Sequence, residues 1–326
     1  MPTPDTLRAL AEQRGFRVGA AVATRPLAQD PVYREVLARE FSLVTTENAL
    51  KHRYLCPARG EYRFADADAI VSFARAHGMG VRGHTLCWHG STPPWVLALT
   101  RPEQVRTLRE HIQAVVSRYR GRVGYWDVVN EAVAAEGRGL RDTSWLQALG
   151  PQYLAKAFRW AHEADPEARL FYNDYAAEGL NAKSAFIFRL LRELLDQGVP
   201  VHGVGLQMHV GLVAYPPRKE LAANINRLAS LGLEVHITEM DVKIQDGAGP
   251  LPARLDQQAE VYRVVTEACL AASGCTALVT WGVSDRYSWI PAHTGRPDAP
   301  LLFDAAGAPK PAYAAVRAAL AGSAGK

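Results

Sequence analysis

The sequence predicts an α/β protein built as a single (β/α)8 barrel. Eight short β-prone segments alternate with amphipathic helical patterns along its 326 residues. This alternation is typical of parallel sheets, and eight repeats fit a closed barrel better than an open doubly wound sheet. The first predicted strand lacks the glycine-rich phosphate loop that usually follows it in open nucleotide-binding sheets. In such a barrel, we expect the functional site at the C-terminal ends of the strands.

The predicted strands are apolar runs rich in β-branched and aromatic residues, as buried parallel strands are. They cover Phe16–Val22, Ser42–Asn48, Val81–Trp88, Val123–Glu131, Arg169–Tyr175, Val204–Val210, Glu234–Val242 and Ala277–Ser284. Among the helices, segment 105–119 keeps apolar residues three and four positions apart. Asn181 is placed as the N-cap of a second helix and Gly198 as its stop. Pro151 is expected in the first turn of a third.

Composition excludes several classes of protein. Hydrophobic residues make up 48% of the chain and charged residues 21%, which is ordinary globular usage and argues against disorder. The net charge of +4 is small and the basic residues are scattered, so we expect no nucleic-acid partner. No apolar stretch reaches the roughly 20 residues that span a bilayer, so we expect no membrane partner. The start of the chain lacks a signal-peptide pattern, which indicates a cytoplasmic protein, or a secreted one whose leader was removed.

The chain is expected to form one domain over residues 1–326, with 321–326 as a loose tail, and to act as a monomer. Its four cysteines give no metal-binding pattern. The spacing of Cys269 and Cys275 is compatible with a disulfide and equally with two small buried hydrophobes. Cys56 and Cys87 are expected to be free thiols.

Seven of the eight predicted strands end in polar or aromatic residues that packing alone does not require. In two of these endings a long apolar run leads directly to a glutamate, Glu131 after the run 126–130 and Glu239 within the run 235–241. The other candidate site residues at or just beyond strand ends are Glu47, Asn48, Lys51, His84, Trp88, Asn130, Asn173, Tyr175, Gln207, His209, Trp281 and Trp289. Because the C-terminal ends of barrel strands meet at one rim, these side chains are expected to form one site.

Two carboxylates displayed on one rigid sheet are suited to cleaving a glycosidic bond. One carboxylic acid protonates the poor leaving group while the other stabilises or attacks the anomeric carbon. Tryptophan rings cover the apolar faces of sugars, and polar side chains bind the hydroxyl groups. Each residue also has an ordinary explanation, since a glutamate at a strand end is commonly salt-bridged and a histidine such as His84, His89 or His209 is commonly a hydrogen-bonded core residue. Metal binding is the weakest option because no HxH or HExxH spacing is present.

These residues resemble the family ten glycoside hydrolases, most of which are endo-β-1,4-xylanases. The motifs that carry the resemblance span almost the whole chain and are Gly15–Val22, Val44–Lys51, Arg82–His89, Trp126–Glu131, Phe171–Tyr175, Gly205–His209, Ile237–Asp241 and Val279–Asp285. The resemblance implies a (β/α)8 barrel that cleaves xylan or xylooligosaccharides with retention of anomeric configuration. We expect no cofactor and no metal, and no carbohydrate-binding module beside the barrel.

The resemblance also implies a role for each site residue. Glu131 matches the acid/base, Glu239 the nucleophile, Asn130 the residue that holds the sugar 2-hydroxyl, and His209 the partner of the nucleophile. Residues matching those around the sugar next to the scissile bond are His84, Trp88, Gln207, Trp281 and Trp289. Residues matching binders of the following sugar on the non-reducing side are Glu47, Asn48 and Lys51. Residues resembling the leaving-group side are Asn173 and Tyr175. The family often joins two cysteines placed like Cys269 and Cys275.

Three positions depart from the family pattern: His52 replaces a usual tryptophan, Cys87 a usual aliphatic residue, and Ala176 a frequent asparagine. These changes bear on outer-subsite packing and on affinity for the leaving-group side. Three other functions stay open at this stage. They are a broader β-1,4-glycanase acting on cellulose or mixed-linkage glucan, a non-catalytic sugar-binding barrel, and a metal-dependent hydrolase that uses the histidines.

Overall fold

The computed structural model describes residues 5–322, and all eight predicted strands are present in it. In chain order the strands are β1 (Arg17–Val22), β2 (Leu43–Thr46), β3 (Gly80–Trp88), β4 (Tyr125–Asn130), β5 (Arg169–Asp174), β6 (Gly203–Leu206), β7 (His209–Gly211), β8 (Glu234–Lys243) and β9 (Cys275–Thr280). The predicted strand 204–210 is divided into β6 and β7. The break falls at Met208, whose φ of 67° is left-handed and cannot continue an extended strand.

Eight of the strands close into a barrel in which every neighbouring pair is parallel. Strands β1 to β6 pair in sequence, β6 then pairs with β8, β8 with β9, and β9 with β1. The short β7 pairs with the last residues of β8. Parallel neighbours need long crossover connections, which here contain the helices. The predicted fold class is therefore confirmed, and the C-terminal ends of the strands meet at one rim.

The connecting segments carry the predicted helices. In chain order the helices are α1 (Leu7–Glu12), α2 (Thr24–Gln29), α3 (Pro31–Glu40), α4 (His52–Leu55), α5 (Ala65–Ala76), α6 (Pro94–Leu97), α7 (Arg101–Arg118), α8 (Ser144–Leu149), α9 (Tyr153–Ala164), α10 (Ala182–Asp196), α11 (Arg218–Ala229), α12 (Leu251–Ala271), α13 (Ile290–Thr294) and α14 (Pro311–Ala321). Asn181 caps α10 as predicted, because its side chain accepts a hydrogen bond from the Ser184 N–H at 2.8 Å. Pro151 is not in a first turn, since α9 begins two residues later, at Tyr153.

The predicted loose tail falls at the edge of the described part of the chain. Ala321, expected in the tail, is instead the last residue of α14, and residues 323–326 lie outside the described residues. Within residues 5–322, no helix combines the length and apolar character needed to cross a bilayer.

The cysteines adopt the states that the resemblance favoured. Cys269 in α12 and Cys275 at the start of β9 form a disulfide, with their Cα atoms 5.2 Å apart. Cys56 and Cys87 are free and buried. The bridge joins the end of the last long helix before β9 to the strand that closes the barrel.

Two buried histidines stack outside the barrel rim. The rings of His52 and His111 lie 3.7 Å apart and nearly parallel, and Trp95 meets the His52 ring edge-on. His52 is 4% exposed and His111 is fully buried. Burial lowers the pKa of His52 to about 3 and lowers the pKa of His111 well below its usual value. Both rings are therefore neutral in the folded protein at ordinary pH.

This pair predicts a loss of stability in mild acid. The folded pKa of His52 lies below the unfolded value of about 6.5, so the unfolded chain takes up the proton first. The stabilisation that comes from keeping His52 neutral is fully present above pH 6.5 and is lost as pH falls towards the folded pKa. Between pH 8 and pH 5, protonation of His52 alone should lower the free energy of unfolding by about 2 kcal/mol. Urea unfolding at the two pH values should show a smaller difference for His52→Phe than for the wild type.

The exposed His77 provides the control, because His77→Gln should leave the difference between pH 8 and pH 5 unchanged. If His52→Phe lost as much stability as the wild type over this range, the pair would not be the acid-sensitive element.

Candidate active site

A cavity of about 870 Å³ lies at the C-terminal rim of the barrel. This volume is within the range of small-molecule sites. The predicted site residues that line it are Lys51, His84, Trp88, Asn130, Glu131, Tyr175, Gln207, His209, Glu239, Trp281 and Trp289. Glu47, Asn48 and Asn173 are not among the lining residues, and Asn173 is fully buried. The expectation that residues from separate strand ends share one site therefore holds for most of the set.

Glu131 directly follows β4 and has a left-handed backbone, with φ of 56°. Its Oε2 accepts a hydrogen bond from Trp88 Nε1 at 3.0 Å, and its Oε1 accepts one from Gln207 Nε2 at 3.2 Å. Burial raises the pKa of the Glu131 carboxyl; the two hydrogen bonds oppose this shift and the negative charge of Glu239 adds to it. Glu131 is thus the carboxyl that holds a proton more readily.

Glu239 lies inside β8 and is 4% exposed. Its Oε1 accepts a hydrogen bond from Asn173 Nδ2 at 2.6 Å, and its Oε2 lies 3.2 Å from His209 Nε2. Burial favours the neutral form, but the charge of His84, 4.0 Å away, and the bond and charge of His209 outweigh it. They hold the pKa of Glu239 below its usual value, so this carboxyl stays ionised.

His209 is a cation placed between two carboxylates. Its Nε2 faces Glu239, and its Nδ1 lies 3.0 Å from Asp241 Oδ2. Burial opposes the charged form, but Asp241 and Glu239 prevail and raise the pKa of His209 to about 10. Trp289 Nε1 donates a hydrogen bond to Asp241 at 2.8 Å, which fixes the carboxylate behind the imidazole. Asp241 is thus structural and acts on Glu239 through His209.

One amide oxygen links the two glutamates. Asn130 Oδ1 accepts hydrogen bonds from Asn173 Nδ2 at 2.8 Å and from Gln207 Nε2 at 3.2 Å. The same Asn173 group also donates to Glu239, and the same Gln207 group also donates to Glu131. The acidic groups, 108 residues apart in sequence, are therefore held by one connected set of amides.

Asn173 differs from the sequence-based expectation. Its side chain is fully buried, donates to Asn130 and Glu239, and accepts a hydrogen bond from Thr238 Oγ1 at 2.7 Å. A side chain with no exposed surface cannot touch the leaving group, so the expected contact is corrected to a supporting position beneath Glu239. The residue pattern along β5 predicted that the Asn173 side chain points towards the site. It did not predict how far below the rim this side chain lies.

The segment after β2 places one cation at the cavity wall. Lys51 Nζ donates to Asn48 Oδ1 at 2.8 Å, and Asn48 Nδ2 donates to Glu47 Oε1 at 3.1 Å. The ammonium lies 5.2 Å from the Trp88 ring centre and 5.6 Å from that of Trp281. Burial lowers the pKa of Lys51, although the nearby carboxylates oppose the shift. Glu47 and Asn48 orient Lys51 from behind.

Tyr175 is held by two basic residues that sequence reasoning missed. Arg141 Nη2 donates to its hydroxyl group at 2.7 Å, and Lys183 Nζ lies 3.6 Å from the centre of its ring. Lys183 is buried and pairs with Asp174 at 2.7 Å. The sequence analysis selected residues at the C-terminal ends of strands. Arg141 and Lys183 lie elsewhere, so that criterion could not identify them. Glu178, also missed, lines the cavity three residues beyond Tyr175.

Within residues 5–322, no group of three or more histidine, cysteine or acidic side chains has an arrangement that could hold a metal ion. Two histidines of the cavity instead contact carboxylates. His84 Nδ1 lies 2.9 Å from Asp127 Oδ2, and His209 lies between Glu239 and Asp241. One ring nitrogen of His84 and both ring nitrogens of His209 thereby face carboxylate oxygens.

A closed (β/α)8 barrel whose rim cavity holds two glutamates, one with a raised and one with a lowered pKa, defines a glycoside hydrolase of the two-carboxylate class. A family model described as glycosyl hydrolase family 10 matches residues 6–319. The chain therefore belongs to glycosyl hydrolase family 10, as the sequence motifs indicated.

The chain is similar over nearly its whole length to characterised members. It is 41% identical to endo-1,4-beta-xylanase B of Thermotoga neapolitana, covering 95% of this chain and 90% of that protein. It is 42% identical to a beta-1,4-xylanase of Dictyoglomus thermophilum, covering 91% of this chain and 86% of that protein. The crystal structure of xylanase 10B from Thermotoga maritima superposes with a TM-score of 0.93 at 41% identity, covering 97% and 98%. Xylanase 10B from Thermotoga petrophila, in complex with xylobiose, gives the same TM-score and identity, covering 97% of each chain.

Ala176 is an alanine in a backbone conformation that favours asparagine or glycine. Its φ is 52°, in the left-handed region, and it borders the cavity beside Tyr175. Asparagine tolerates this region better than alanine. We therefore expect Ala176→Asn to raise the free energy of unfolding by about 0.5–1 kcal/mol in urea. Ala135→Asn, at an exposed loop position without a left-handed φ, is the control and should be close to neutral. A loss of stability in Ala176→Asn would refute the assignment of strain to this residue.

Proposed function

We propose that this chain is an endo-1,4-β-xylanase that hydrolyses internal β-1,4-xylosidic bonds of xylan and xylooligosaccharides by double displacement. The observation that carries the proposal is the opposite perturbation of Glu131 and Glu239 in one cavity. Two carboxyl groups whose environments push their pKa values apart are suited to act as acid and nucleophile. The xylanase names of the relatives and the xylobiose bound by one structural neighbour support the choice of substrate.

In the first step, Glu131 donates its proton to the glycosidic oxygen as Glu239 attacks the anomeric carbon. The bond to the leaving sugar breaks, and an ester forms between the glycosyl group and Glu239. His209 and His84 keep Glu239 ionised before the attack. Burial raises the pKa of Glu131, which favours the protonated form that this step needs.

In the second step, the loss of charge on Glu239 changes the role of Glu131. Once Glu239 is esterified, it no longer repels a negative charge on Glu131, and the pKa of Glu131 falls. Glu131, which gave up its proton in the first step, takes one from a water molecule. That water attacks the anomeric carbon, and the sugar leaves with its original configuration.

The other cavity residues bind the sugar chain in this proposal. Asn130 receives the 2-hydroxyl group of the sugar that is attacked. The side chains that surround this sugar are His84, Trp88, Gln207, Trp281 and Trp289. Lys51, oriented by Glu47 and Asn48, binds the next sugar on the non-reducing side, and Tyr175 faces the leaving group. Asn173 supports Glu239 without contacting substrate.

We further propose that one chain is sufficient for activity and acts as a monomer without nucleic acid or membrane. The two carboxyl groups and every binding residue named above come from a single chain. The basic residues are scattered along the sequence rather than collected in blocks, which favours no polyanionic partner.

The function is tested by substrate choice and product anomer. Xylan should release short xylooligosaccharides, carboxymethylcellulose should release few reducing ends, and NMR during hydrolysis should show the β anomer first. A chelator should leave the rate unchanged. Release of the α anomer first would contradict double displacement, and equal rates on both polymers would indicate the broader β-1,4-glycanase.

Two variants separate the roles of the carboxyl groups. Glu239→Ala should lower kcat by at least about 10³-fold on every substrate, because the covalent step is lost. Glu131→Ala should impair xylan hydrolysis far more than hydrolysis of an aryl xylobioside, whose phenolate leaves without protonation.

The pH dependence of kcat/KM shows which carboxyl group must be ionised and which must be protonated. Glu239 must be ionised, so kcat/KM falls as pH drops through its lowered pKa; Glu131 must be protonated, so kcat/KM falls as pH rises through its raised pKa. The alkaline limb should disappear in Glu131→Ala on the aryl substrate. An unchanged alkaline limb would assign it to another group.

A further inference from the structure

A third carboxyl group, Glu178, borders the cleft and takes no part in the steps above. It lies in the connection between β5 and α10 and is 6% exposed. Its Oε1 accepts a hydrogen bond from the backbone N–H of Met208 at 3.0 Å. The backbone carbonyl groups of Ala177 and Glu178 accept hydrogen bonds from Asn224 Nδ2 at 2.7 and 3.0 Å. The segment that carries Glu178 is thereby anchored to α11.

Met208 is held in an unfavourable conformation. Its φ is 67°, and a non-glycine residue in the left-handed region costs on the order of 1–2 kcal/mol. Its side chain is fully buried, and its carbonyl group accepts a hydrogen bond from the Asp241 N–H at 3.3 Å. Such a conformation persists only where the surroundings hold it, and the carboxyl of Glu178 is the side chain that takes the Met208 N–H.

The two neighbours of Met208 each contact one catalytic carboxyl group. Gln207 Nε2 donates to Glu131 Oε1 at 3.2 Å, and His209 Nε2 lies 3.2 Å from Glu239 Oε2. A rotation of the backbone at Met208 therefore displaces both contacts together. This single residue couples the environment of the acid to the environment of the nucleophile.

We propose that Glu178 is a positioning residue that fixes the segment 207–209 and, through it, the geometry of Glu131 and Glu239. The proposal rests on the proposed function, because it assigns the two carboxyl groups their roles. To hold the Met208 N–H, residue 178 needs a hydrogen-bond acceptor on a side chain as long as that of glutamate. It does not require the negative charge, since a carbonyl oxygen can also accept the Met208 N–H. The charged groups near Glu178 are His209 and Lys183.

Two conservative variants distinguish the effect of the Glu178 side-chain length from the effect of its charge. Glu178→Gln keeps the reach and removes the charge, so kcat on an aryl xylobioside should stay within about threefold of the wild type. Glu178→Asp keeps the charge but is one methylene shorter, so kcat should fall roughly tenfold to a hundredfold, the scale of a misplaced catalytic group, with a smaller change in KM. Glu193→Asp, at an exposed position on α10, is the matched control and should be unchanged.

Each other ranking of the variants contradicts the proposal. A larger loss in Glu178→Gln than in Glu178→Asp would show that charge matters. Equal losses in both would show that neither reach nor charge alone accounts for the role, and two unimpaired variants would show that Glu178 positions nothing.

Amide hydrogen exchange at Met208 is a second readout that does not depend on activity. The Met208 N–H should be protected in the wild type and in Glu178→Gln, and should exchange faster in Glu178→Asp. Rapid exchange in the wild type, or equal protection in all three proteins, would overturn the inference. If the wild type failed to cleave xylan, the proposed function would fall, while the exchange data would still decide whether Glu178 holds Met208.

Discussion

Two carboxyl groups that share one cleft repel each other when both are ionised, and the site is arranged around this repulsion. Burial and the charge of Glu239 raise the pKa of Glu131, and the hydrogen bonds from Trp88 and Gln207 offset only part of this rise. Glu239 lies beside the His209 cation and 4.0 Å from His84, and both neighbours lower the pKa of this carboxyl. The difference between the groups is thus a difference between their neighbours. The barrel supplies those neighbours from separate strand ends that converge on one rim.

Below the rim, a buried charged side chain is also held by neighbours of opposite charge or by hydrogen bonds. Arg82 is fully buried in the barrel, where its guanidinium group pairs with Asp127 and its Nη1 lies 3.0 Å from His236 Nδ1. Asp127 also contacts His84, which in turn faces Glu239. An unpaired buried charge is strongly destabilising, so these partners depend on one another. Glu239 is therefore linked through His84 and Asp127 to Arg82 in the barrel interior.

The sequence contained enough to predict the fold and most of the rim, because both follow from simple periodicity. Apolar runs define strands, and parallel closure brings strand ends together, which placed Glu131, Gln207 and Glu239 in one cavity. Other features carried no such signal. Asn173 lies below the rim because depth depends on the tilt and register of β5. The left-handed angles at Ala176 and Met208 fall on residues that do not normally mark such turns.

In the proposed mechanism, Glu239 forms a covalent bond with the sugar, while Glu131 donates a proton and later accepts one. This bond can be detected by incubating the protein with an activated 2-deoxy-2-fluoro-xylobioside, which slows release of the intermediate, and then measuring intact and peptide masses. One added glycosyl mass per chain is expected, on the peptide that contains Glu239. No adduct in a protein that hydrolyses xylan, or an adduct on another residue, would exclude Glu239 as the nucleophile.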